Sequence, residues 1–503
     1  MSGFSGIIEG FQVAYSWEGI LFVALGVLIG TAIGIMPGLG PITAIAVMIP
    51  ITYGMNPTYA LVMMAGVYYG SIFGSSTSSI LINTPGAAST VATTFDGYPM
   101  AQRGEAGKAL AIAAIASFVG GTVAAIFLML FAPVLAGLAV SFGPAEYFAL
   151  MLLGMTAIAS LSDGSSIRAF ISAILGFMAV TIGIDSQTGT NRFTFGNVNL
   201  LEGIDFLVIA LGLFALAEVT YLIINRRDRS FEKLSNIGSI RLTKKDFKEI
   251  SGPMGRHSVL GFLIGILPGA GATIASFMSY ITEKRISKNP EEFGKGSAKG
   301  LAAPETSTNA ASTGSFVPLL SLGIPGSGTT AVLLGAFLVL GVQPGPLLVQ
   351  EEPALFWGII ASMYLGNIIL IILNLPLIPY IAKVLKIPRP LLISLVLMLC
   401  MMGVYAISFS TFDLYLLLLF GVIGYVMKSL KIPAAPFILA FVLGDLLEEN
   451  FRMALTISNG DWMVFFGNPV VLGLFIVAAL SVVLPNLKKF KKNMKGKGLD
   501  ESI

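Results

Sequence analysis

Two pairs of Pro-Gly motifs carry the groups best suited to binding a ligand. Residues 33–40 read Ile-Gly-Ile-Met-Pro-Gly-Leu-Gly and residues 264–271 read Ile-Gly-Ile-Leu-Pro-Gly-Ala-Gly, with six identities in eight. The second pair is Pro-Gly-Ala-Ala-Ser-Thr at residues 85–90 and Pro-Gly-Ser-Gly-Thr-Thr at residues 325–330, each after a Ser/Thr-rich run. Because Pro and Gly interrupt helices and leave backbone N–H and C=O groups bare, these motifs predict four helix breaks.

The chemistry expected at such breaks is the binding of an anion. A half-helix that starts at a break has partial positive charge and free N–H groups at its N-terminus, which attract a carboxylate or phosphate without a buried Lys or Arg. The bare carbonyls and hydroxyls that remain suit Na⁺, whose ligands are hard oxygens. A cationic substrate is disfavoured, because the few candidate acids lie mostly near predicted segment ends: Asp96, Asp163, Asp185, Glu218, Asp413 and Asp445.

The elements that position these breaks are membrane helices. Only 11% of the 503 residues are charged and 55% are hydrophobic, whereas about 25% of residues are charged in soluble domains. Ten windows are long and apolar enough to cross about 30 Å of hydrocarbon: Ile20–Ile35, Ala109–Ala136, Tyr147–Leu161, Ile167–Ile184, Phe206–Ile224, Val259–Tyr280, Phe356–Ile381, Leu391–Phe409, Leu414–Met427 and Val470–Leu484. Five interrupted apolar stretches predict half-helices or re-entrant hairpins: Ile42–Thr52, Leu61–Pro85, Thr308–Pro325, Thr329–Val342 and Pro433–Leu447. The prediction is an all-α polytopic membrane protein with about 10–14 membrane segments.

The repetition of the breaks in the same order predicts a two-fold internal repeat. Corresponding interrupted segments in two halves are typical of secondary transporters, which bind substrate at the repeat interface. The expected units are a first transmembrane repeat at residues 1–225, a basic linker at 226–256, a second transmembrane repeat at 257–487 and a basic tail at 488–503. We favour inverted over parallel repeats.

Lys and Arg set the expected orientation. None occurs before Arg103, nine fall within residues 226–256 and six within 488–497. The bias of Lys and Arg toward cytoplasmic loops places the linker and the tail in the cytoplasm and the N-terminus outside. The first residues lack the basic segment of a cleaved signal peptide. Because the basic windows flank membrane segments and lack interleaved aromatic residues, nucleic-acid binding is disfavoured.

Several function classes are excluded or disfavoured by missing residues. One cysteine, Cys400, and one histidine, His257, exclude a disulfide framework, a Cys-based metal cluster, the usual zinc sites and Cys–His catalysis. No complete nucleotide-binding glycine motif is present, so neither ATP hydrolysis nor another enzyme activity is expected. His257 is interpreted as an interfacial side chain. Glu305 is either a coupling acid or, in the favoured interpretation, a loop acid at a helix start.

Five motifs in order resemble the large membrane subunit of the tripartite tricarboxylate transporters, over about residues 20–485: Gly34–Pro41; Ile82–Gly86 with Asp96–Met100; Gly143–Phe148; Gly183–Asp185 with Arg192–Gly196; and Leu322–Ser327. The resemblance implies a secondary transporter in a bacterial or archaeal plasma (inner) membrane. Its implied partners are a small four-helix membrane subunit and a periplasmic or extracellular solute-binding protein. The implied activity is the import of di- or tricarboxylates or related organic acids, driven by a gradient of Na⁺ or H⁺ with no other cofactor.

The motif pairs and the resemblance together locate the expected site. Substrate contacts are expected from the second pair and its flanks: Asn83, Thr84, Gly86, Ser89, Thr90, Gly326, Ser327, Thr329 and Thr330. A cation site or a backbone break close by is expected from the first pair: Pro37, Gly38, Gly40, Pro268, Gly269 and Gly271. Because the breaks are rich in oxygen and poor in acids, Na⁺ is favoured over H⁺. Two alternatives stay open, a solitary organic-anion carrier and an anion channel without partner subunits.

Overall fold

The computed structural model describes residues 3–36, 38–161, 166–185, 187–224, 238–269, 271–381 and 389–483. The helices, in chain order, are α1 (Gly3–Ala14), α2 (Trp17–Gly34), α3 (Pro41–Thr52), α4 (Pro57–Ile82), α5 (Val91–Gln102), α6 (Ala106–Ala139), α7 (Pro144–Leu161), α8 (Ser166–Val180), α9 (Phe206–Ala210), α10 (Ala217–Ile224), α11 (Lys244–Ile266), α12 (Gly271–Ile286), α13 (Ala298–Gly314), α14 (Phe316–Leu322), α15 (Gly328–Val339), α16 (Leu348–Glu351), α17 (Pro353–Ile381), α18 (Arg389–Ser408), α19 (Thr411–Ser429), α20 (Ala435–Ile457) and α21 (Pro469–Val483). A π-helical segment joins α9 to α10, and one antiparallel hairpin pairs β1 (Gly183–Ile184) with β2 (Asn191–Arg192). Short 3₁₀ turns occupy Ala88–Thr90, Val198–Leu200, Pro290–Glu292 and Trp462–Phe465.

The predicted all-α membrane fold is confirmed in its main lines. Five helices in the described part of the chain are long and apolar enough to cross a bilayer: Trp17–Gly34, Ala106–Ala139, Phe206–Ile224, Pro353–Leu373 and Thr411–Ser429. Shorter apolar helices include α3, α8, α15 and α21. A chain with several such helices is a multi-pass membrane protein. The internal repeat and its orientation stay predictions.

Two of the predicted segments are wrong in their continuity. The window Val259–Tyr280 is not one span, because α11 ends at Ile266 and α12 begins at Gly271. Leu267 is extended at this point, and Gly269 and Gly271 take positive φ of 81° and 56°, which a helix cannot accommodate. The Pro-Gly motif inside the apolar run therefore decides the structure, and hydropathy does not.

Conversely, the stretch Leu61–Pro85 was expected to be interrupted, and α4 runs through it without a break to Ile82. Hydroxyls of its Ser/Thr run bond to carbonyl groups of the helix itself. The hydroxyls of Ser75, Thr77 and Ser79 donate to the carbonyl oxygens four residues earlier, at 2.8, 3.1 and 2.8 Å. Hydroxyls bonded in this way remain compatible with a buried helix.

The predicted linker is helical in its second part. Residues 244–256 form the first turns of α11, where Thr243 and Asp246 make a capping box. Residues 225–237 of the linker region and residues 484–503, which hold the basic tail, lie outside the described residues. The division of the chain into two repeats stays a prediction.

Helix α13 forms the centre of the core and packs against α6, α11 and α12. Close approach depends on glycine. A Cβ at Gly30 of α2 would lie 2.3 Å from the Val67 carbonyl oxygen of α4, and one at Gly265 of α11 would lie 2.3 Å from the Ala311 oxygen of α13. Small residues of this kind let helix backbones meet in membranes. The two helices that precede breaks, α2 and α11, are thereby fixed against their neighbours.

An ionic cluster ties the β-hairpin to α20. Asp185 accepts hydrogen bonds from the backbone N–H groups of Gln187 and Thr188 at 2.9 and 3.1 Å and from Arg452 at 3.0 Å. Arg192 donates to Glu448 at 2.9 Å. The N–H of Gln187 first, and then that of Thr188 and the Arg452 guanidinium, lower the pKa of Asp185 to about 2, against the opposite effect of burial.

We expect Asp185→Asn to lower the thermal unfolding midpoint in detergent at pH 7. Because the pKa of Asp185 is lower in the folded than in the unfolded chain, its contribution is complete above the unfolded value near 4 and is lost as pH falls through about 2. The difference between wild type and variant should therefore shrink between about pH 4 and pH 2. Glu449→Gln, at an exposed acid of α20, is the control. Equal midpoints of wild type and Asp185→Asn at pH 7 would contradict this account.

Candidate functional site

The four Pro-Gly segments meet at one cavity. We call residues 35–40 the first break, 83–90 the first tip, 267–271 the second break and 323–330 the second tip. All four contribute to the wall of a cavity of about 470 Å³. The rest of the wall comes from α3, α4, α12, α13, the Phe206–Ile224 helix, α19, the segment 432–434 and α20. A volume of this size is in the range of sites for small organic ligands.

The first tip is a turn held by its own side chains. Asn83 ends α4 in the left-handed conformation, at φ 50°, and its N–H donates to the Ser78 carbonyl. Thr90 is fully buried, receives a hydrogen bond from Ser79 at 3.0 Å and donates to the Ala87 oxygen at 3.0 Å. Ser89 lines the cavity. Of the three hydroxyl residues of this tip, Ser89 is therefore on the cavity wall, whereas the hydroxyls of Thr84 and Thr90 bond within the fold.

The second tip starts a helix at the cavity. Gly323 ends α14 with φ 69°, and Ser327 is the N-cap of α15. Its hydroxyl accepts from the Thr330 N–H at 3.3 Å, while the Ser327 N–H donates to the Thr330 hydroxyl at 2.8 Å. Ser327, Gly328 and Thr329 line the cavity. The positive end of a 12-residue helix is thus placed where an anion can reach it.

Each break lies against its neighbouring tip. In the second break, Gly269 donates its N–H to the Gly326 oxygen at 3.0 Å. In the first break, a Cβ added at Gly40 would lie 3.1 Å from the Gly86 oxygen of the first tip. The oxygen of Gly34, just before this break, accepts a hydrogen bond from Ser75 at 3.2 Å and would lie 2.5 Å from a Cβ added at Gly86. The second break is therefore hydrogen-bonded to its tip, and the first break is packed against its tip.

The structure brings eight of the predicted site residues to the cavity wall: Gly38, Gly40, Gly86, Ser89, Gly269, Gly271, Ser327 and Thr329. Six others are not on this wall: Asn83, Thr84, Thr90, Gly326, Thr330 and Pro268. Thr84 donates to the Ile82 oxygen at 3.1 Å. Pro37 lies outside the described residues. That the wall residues bind substrate or cation stays a prediction.

A charged pair on the wall was missed by sequence reasoning. Lys428, near the end of α19, forms an ion pair with Glu218, and its ammonium lies 4.2 Å from the centre of the Tyr221 ring. Both Lys428 and Glu218 line the cavity. The side chain of Lys428 is 37% exposed, so the expectation of an anion site without a buried Lys or Arg stays a prediction, and the wall has in addition an accessible ammonium group. Lys428 follows an apolar span and precedes Lys431, so by sequence it is indistinguishable from an ordinary cytoplasmic end charge.

Glu305 is not the loop acid at a helix start that was favoured. It lies within α13, is fully buried, and accepts hydrogen bonds from Ser76 at 3.0 Å, from Ser117 at 3.3 Å and from Thr93. These hydroxyls come from α4, α6 and α5. Only the packing of α13 between those helices reveals this position, because the surrounding sequence is rich in Ala, Ser and Thr.

His257 is not interfacial either. Its side chain is 1% exposed and its Nε2 lies 2.9 Å from Glu283 of α12, which also accepts from Arg256 at 2.8 Å. The three side chains join α11 to α12, the two helices that flank the second break. This arrangement supports a hairpin and leaves no side chain of the group at the cavity.

Known proteins were compared with the chain. A family model described as "Tripartite tricarboxylate transporter TctA family" matches residues 20–439. A protein of Agrobacterium vitis named "Uncharacterized 52.8 kDa protein in TAR-I ttuC' 3'region" is 44% identical over 487 residues, 97% of each chain. A second protein of that organism, "Uncharacterized protein in TAR-II ttuC' 3'region", is 47% identical over 231 residues, 45% of this chain and 96% of its own. No solved structure matches.

Proposed function

The chain belongs to the tripartite tricarboxylate transporter TctA family, and we propose that it is the large membrane subunit of a secondary transporter that imports di- or tricarboxylates or related organic acids. The family is one of transporters. The observation that carries the proposal is the meeting of four Pro-Gly segments at a single cavity. In a membrane, irregular backbone is tolerated where it lines a cavity, and transporters place substrate sites at such helix breaks.

The cavity offers two kinds of positive charge to an organic acid. One is the N-terminus of α15, with the hydroxyls of Ser327 and Thr329 beside it. The other is the ammonium of Lys428. An acid with two or three carboxylates can engage both, since each carboxylate needs its own donor group. Ser89 adds a hydroxyl from the opposite tip.

Transport is proposed to proceed by alternating access, with a cation as the driving ion. Each break lies against its tip, so a tip that moves with its break can expose the cavity to either side in turn. Na⁺ is the proposed coupling ion at the breaks, where the helices end and backbone carbonyls are available as hard oxygen ligands. The anion then binds more tightly when the cation is present, which couples the two fluxes.

The proposed setting is a tripartite assembly in the plasma (inner) membrane of a bacterium or archaeon. The partners are a small four-helix membrane subunit and an extracytoplasmic solute-binding protein. The excess of Lys and Arg in residues 226–256 and 488–497 supports a cytoplasmic linker and tail with the N-terminus outside.

Reconstituted uptake tests this function. The chain and its partners are placed in liposomes, and uptake of labelled citrate is measured while Na⁺ and H⁺ gradients are varied independently. One arm omits the binding protein. Saturable uptake that needs a cation gradient and the binding protein is expected. Gradient-driven uptake without the binding protein would instead indicate a solitary carrier, and non-saturating flux without cation dependence would indicate an anion channel.

We expect the double substitution Ser89→Ala with Thr329→Ala to raise the KM for the transported acid by at least about tenfold. Each lost hydrogen bond to a charged group costs about 1.5–3 kcal/mol. The matched control is Ser429→Ala with Thr456→Ala, which removes two exposed hydroxyls that bond within their own helices. Unchanged KM and ion dependence in the Ser89/Thr329 variant would show that the substrate binds elsewhere.

A further inference from the structure

The buried carboxyl of Glu305 lies at the crossing of four helices. It is fully inaccessible, and among the described residues the hydrogen bonds to its carboxyl oxygens come from the hydroxyls of Ser76 (α4), Thr93 (α5) and Ser117 (α6). A carboxylate in a medium of low dielectric without a cation is costly, so an acid in such a place tends to exchange its charge for a proton.

Within the described residues, no salt bridge on the surrounding helices includes Glu305. Asp96 of α5 accepts from the N–H groups of Gly294, Gly296 and Ser297. The remaining charged groups that have partners on α6, α11 and α12 form separate pairs: Lys108 with Asp246, and Arg256 and His257 with Glu283. Within the described residues of α4 the ionisable side chains are tyrosines, Tyr59, Tyr68 and Tyr69. No described cation therefore balances Glu305.

The hydroxyls around Glu305 can satisfy both of its protonation states. When the acid is ionised, Ser76, Thr93 and Ser117 donate to it. Ser117 keeps its hydrogen for this bond, because its oxygen already accepts from Asn309 at 2.8 Å. Ser76 has a second acceptor, the Ile72 carbonyl at 3.2 Å. When Glu305 is protonated, its O–H can donate to Ser76, which turns its own hydrogen to Ile72. Neither state leaves a donor or an acceptor of this group unpaired.

Glu305 is also connected to the cavity through neighbouring residues of α13 and α5. Thr308, one turn along α13, donates to the Ser89 backbone oxygen of the first tip at 3.4 Å. Thr93 lies on α5, the helix that follows this tip, only four residues after Ser89. In addition, Ser312 of α13 lines the cavity. A change of charge at Glu305 therefore acts on the helices that carry the first tip.

We infer that Glu305 is a proton-binding site whose uptake and release of H⁺ accompany each transport cycle. The step is a simple transfer: a proton from water adds to a Glu305 carboxylate oxygen and later returns to water on the other side. The inference rests on the proposed function as a cation-coupled carrier. It assigns H⁺ a site of its own, separate from the oxygen-rich breaks proposed for Na⁺.

The test compares wild type with Glu305→Gln in liposomes, using labelled citrate in two assays. The first is accumulation driven by a pH gradient, and the second is exchange of internal for external citrate with no gradient. Because Gln cannot ionise but keeps the size of Glu, we expect pH-gradient-driven accumulation to fall at least about tenfold, while exchange stays within about twofold of wild type. Glu105→Gln, at an exposed acid, is the control and should behave as wild type in both assays.

The outcomes separate this inference from the proposed function. Wild-type accumulation by Glu305→Gln under a pH gradient would overturn the inference, as would a wild-type protein driven by Na⁺ with no response to pH. If neither citrate nor another organic acid is taken up under any of the cation gradients, the proposed function itself is overturned.

A second variant keeps the test decisive if Glu305→Gln does not fold. Thr93→Val preserves the shape of the side chain and removes one donor, whose bond is stronger to the ionised than to the protonated acid. The pH midpoint of uptake should therefore be about one unit higher in Thr93→Val than in wild type, which corresponds to a tenfold change in proton affinity. An unshifted midpoint would contradict the role of Glu305.

Discussion

Gly30→Val is expected to destabilise the folded protein strongly. Gly30 of α2 faces α4 so closely that a Cβ would lie 2.3 Å from the Val67 oxygen and 2.7 Å from its Cα. These are backbone atoms, so no rotamer change can make room, and the two helices must separate. A Cβ added at Gly70 of α4 would likewise lie 2.3 Å from the Val27 oxygen of α2. Each helix therefore depends on a glycine at this contact.

The expected cost is at or above the upper end of the 1–3 kcal/mol typical of overpacking, against a net stability of about 5–15 kcal/mol. The measurement is the yield of monodisperse protein and its thermal midpoint in detergent. Gly137→Val is the matched control, because Gly137 also lies in an apolar helix, α6, and has no atom within 4 Å of the added Cβ. Equal losses in the two variants would show that the α2–α4 contact is not the cause.

Lys428→Met is expected to lower kcat/KM for the transported acid by about 100-fold or more. Lys428 is the cationic side chain among the described residues that line the cavity, so its removal takes away the charge that an organic acid meets. It also leaves Glu218, which is 11% exposed, without its partner. Because Lys428 is 37% exposed, water screens this pair, and its loss costs less than the loss of a fully buried pair.

A double variant separates the two effects. Glu218→Gln with Lys428→Met removes both charges, so the fold should recover its stability while affinity for the acid stays low. Lys431→Met is the matched control, since Lys431 is exposed and is not part of the wall. Wild-type kcat/KM in Lys428→Met would exclude this lysine from substrate binding.

The sequence is sufficient for the features that depend on local backbone chemistry. The Pro-Gly pairs at residues 268–269 and 325–326 lie between helices, and these breaks and tips could be located from the repetition of the motifs. The Ser/Thr run at residues 75–79 was harder to interpret, because a hydroxyl that bonds to its own helix leaves the same sequence signal as one that meets a ligand.

The features that depend on packing between distant helices could not be predicted. Glu305 contacts Ser76, 229 residues away, and Lys428 contacts Glu218, 210 residues away. Neither residue is unusual in its local sequence. The continuity of residues 259–280 was predicted wrongly because hydropathy averages over Gly269 and Gly271, whose backbone angles end one helix and start another.

The central claim is that the transported acid binds in the cavity where the four breaks and tips meet. The most direct measurement is the rate at which a thiol reagent labels Thr273→Cys, on the cavity wall at α12, with and without citrate. Native Cys400 is buried and gives the background in the unsubstituted chain. Thr456→Cys, at an exposed position, is the control. The account predicts that saturating citrate slows labelling of Thr273→Cys at least about tenfold and leaves Thr456→Cys unchanged. Equal labelling of Thr273→Cys with and without citrate, in protein that transports citrate, would contradict it.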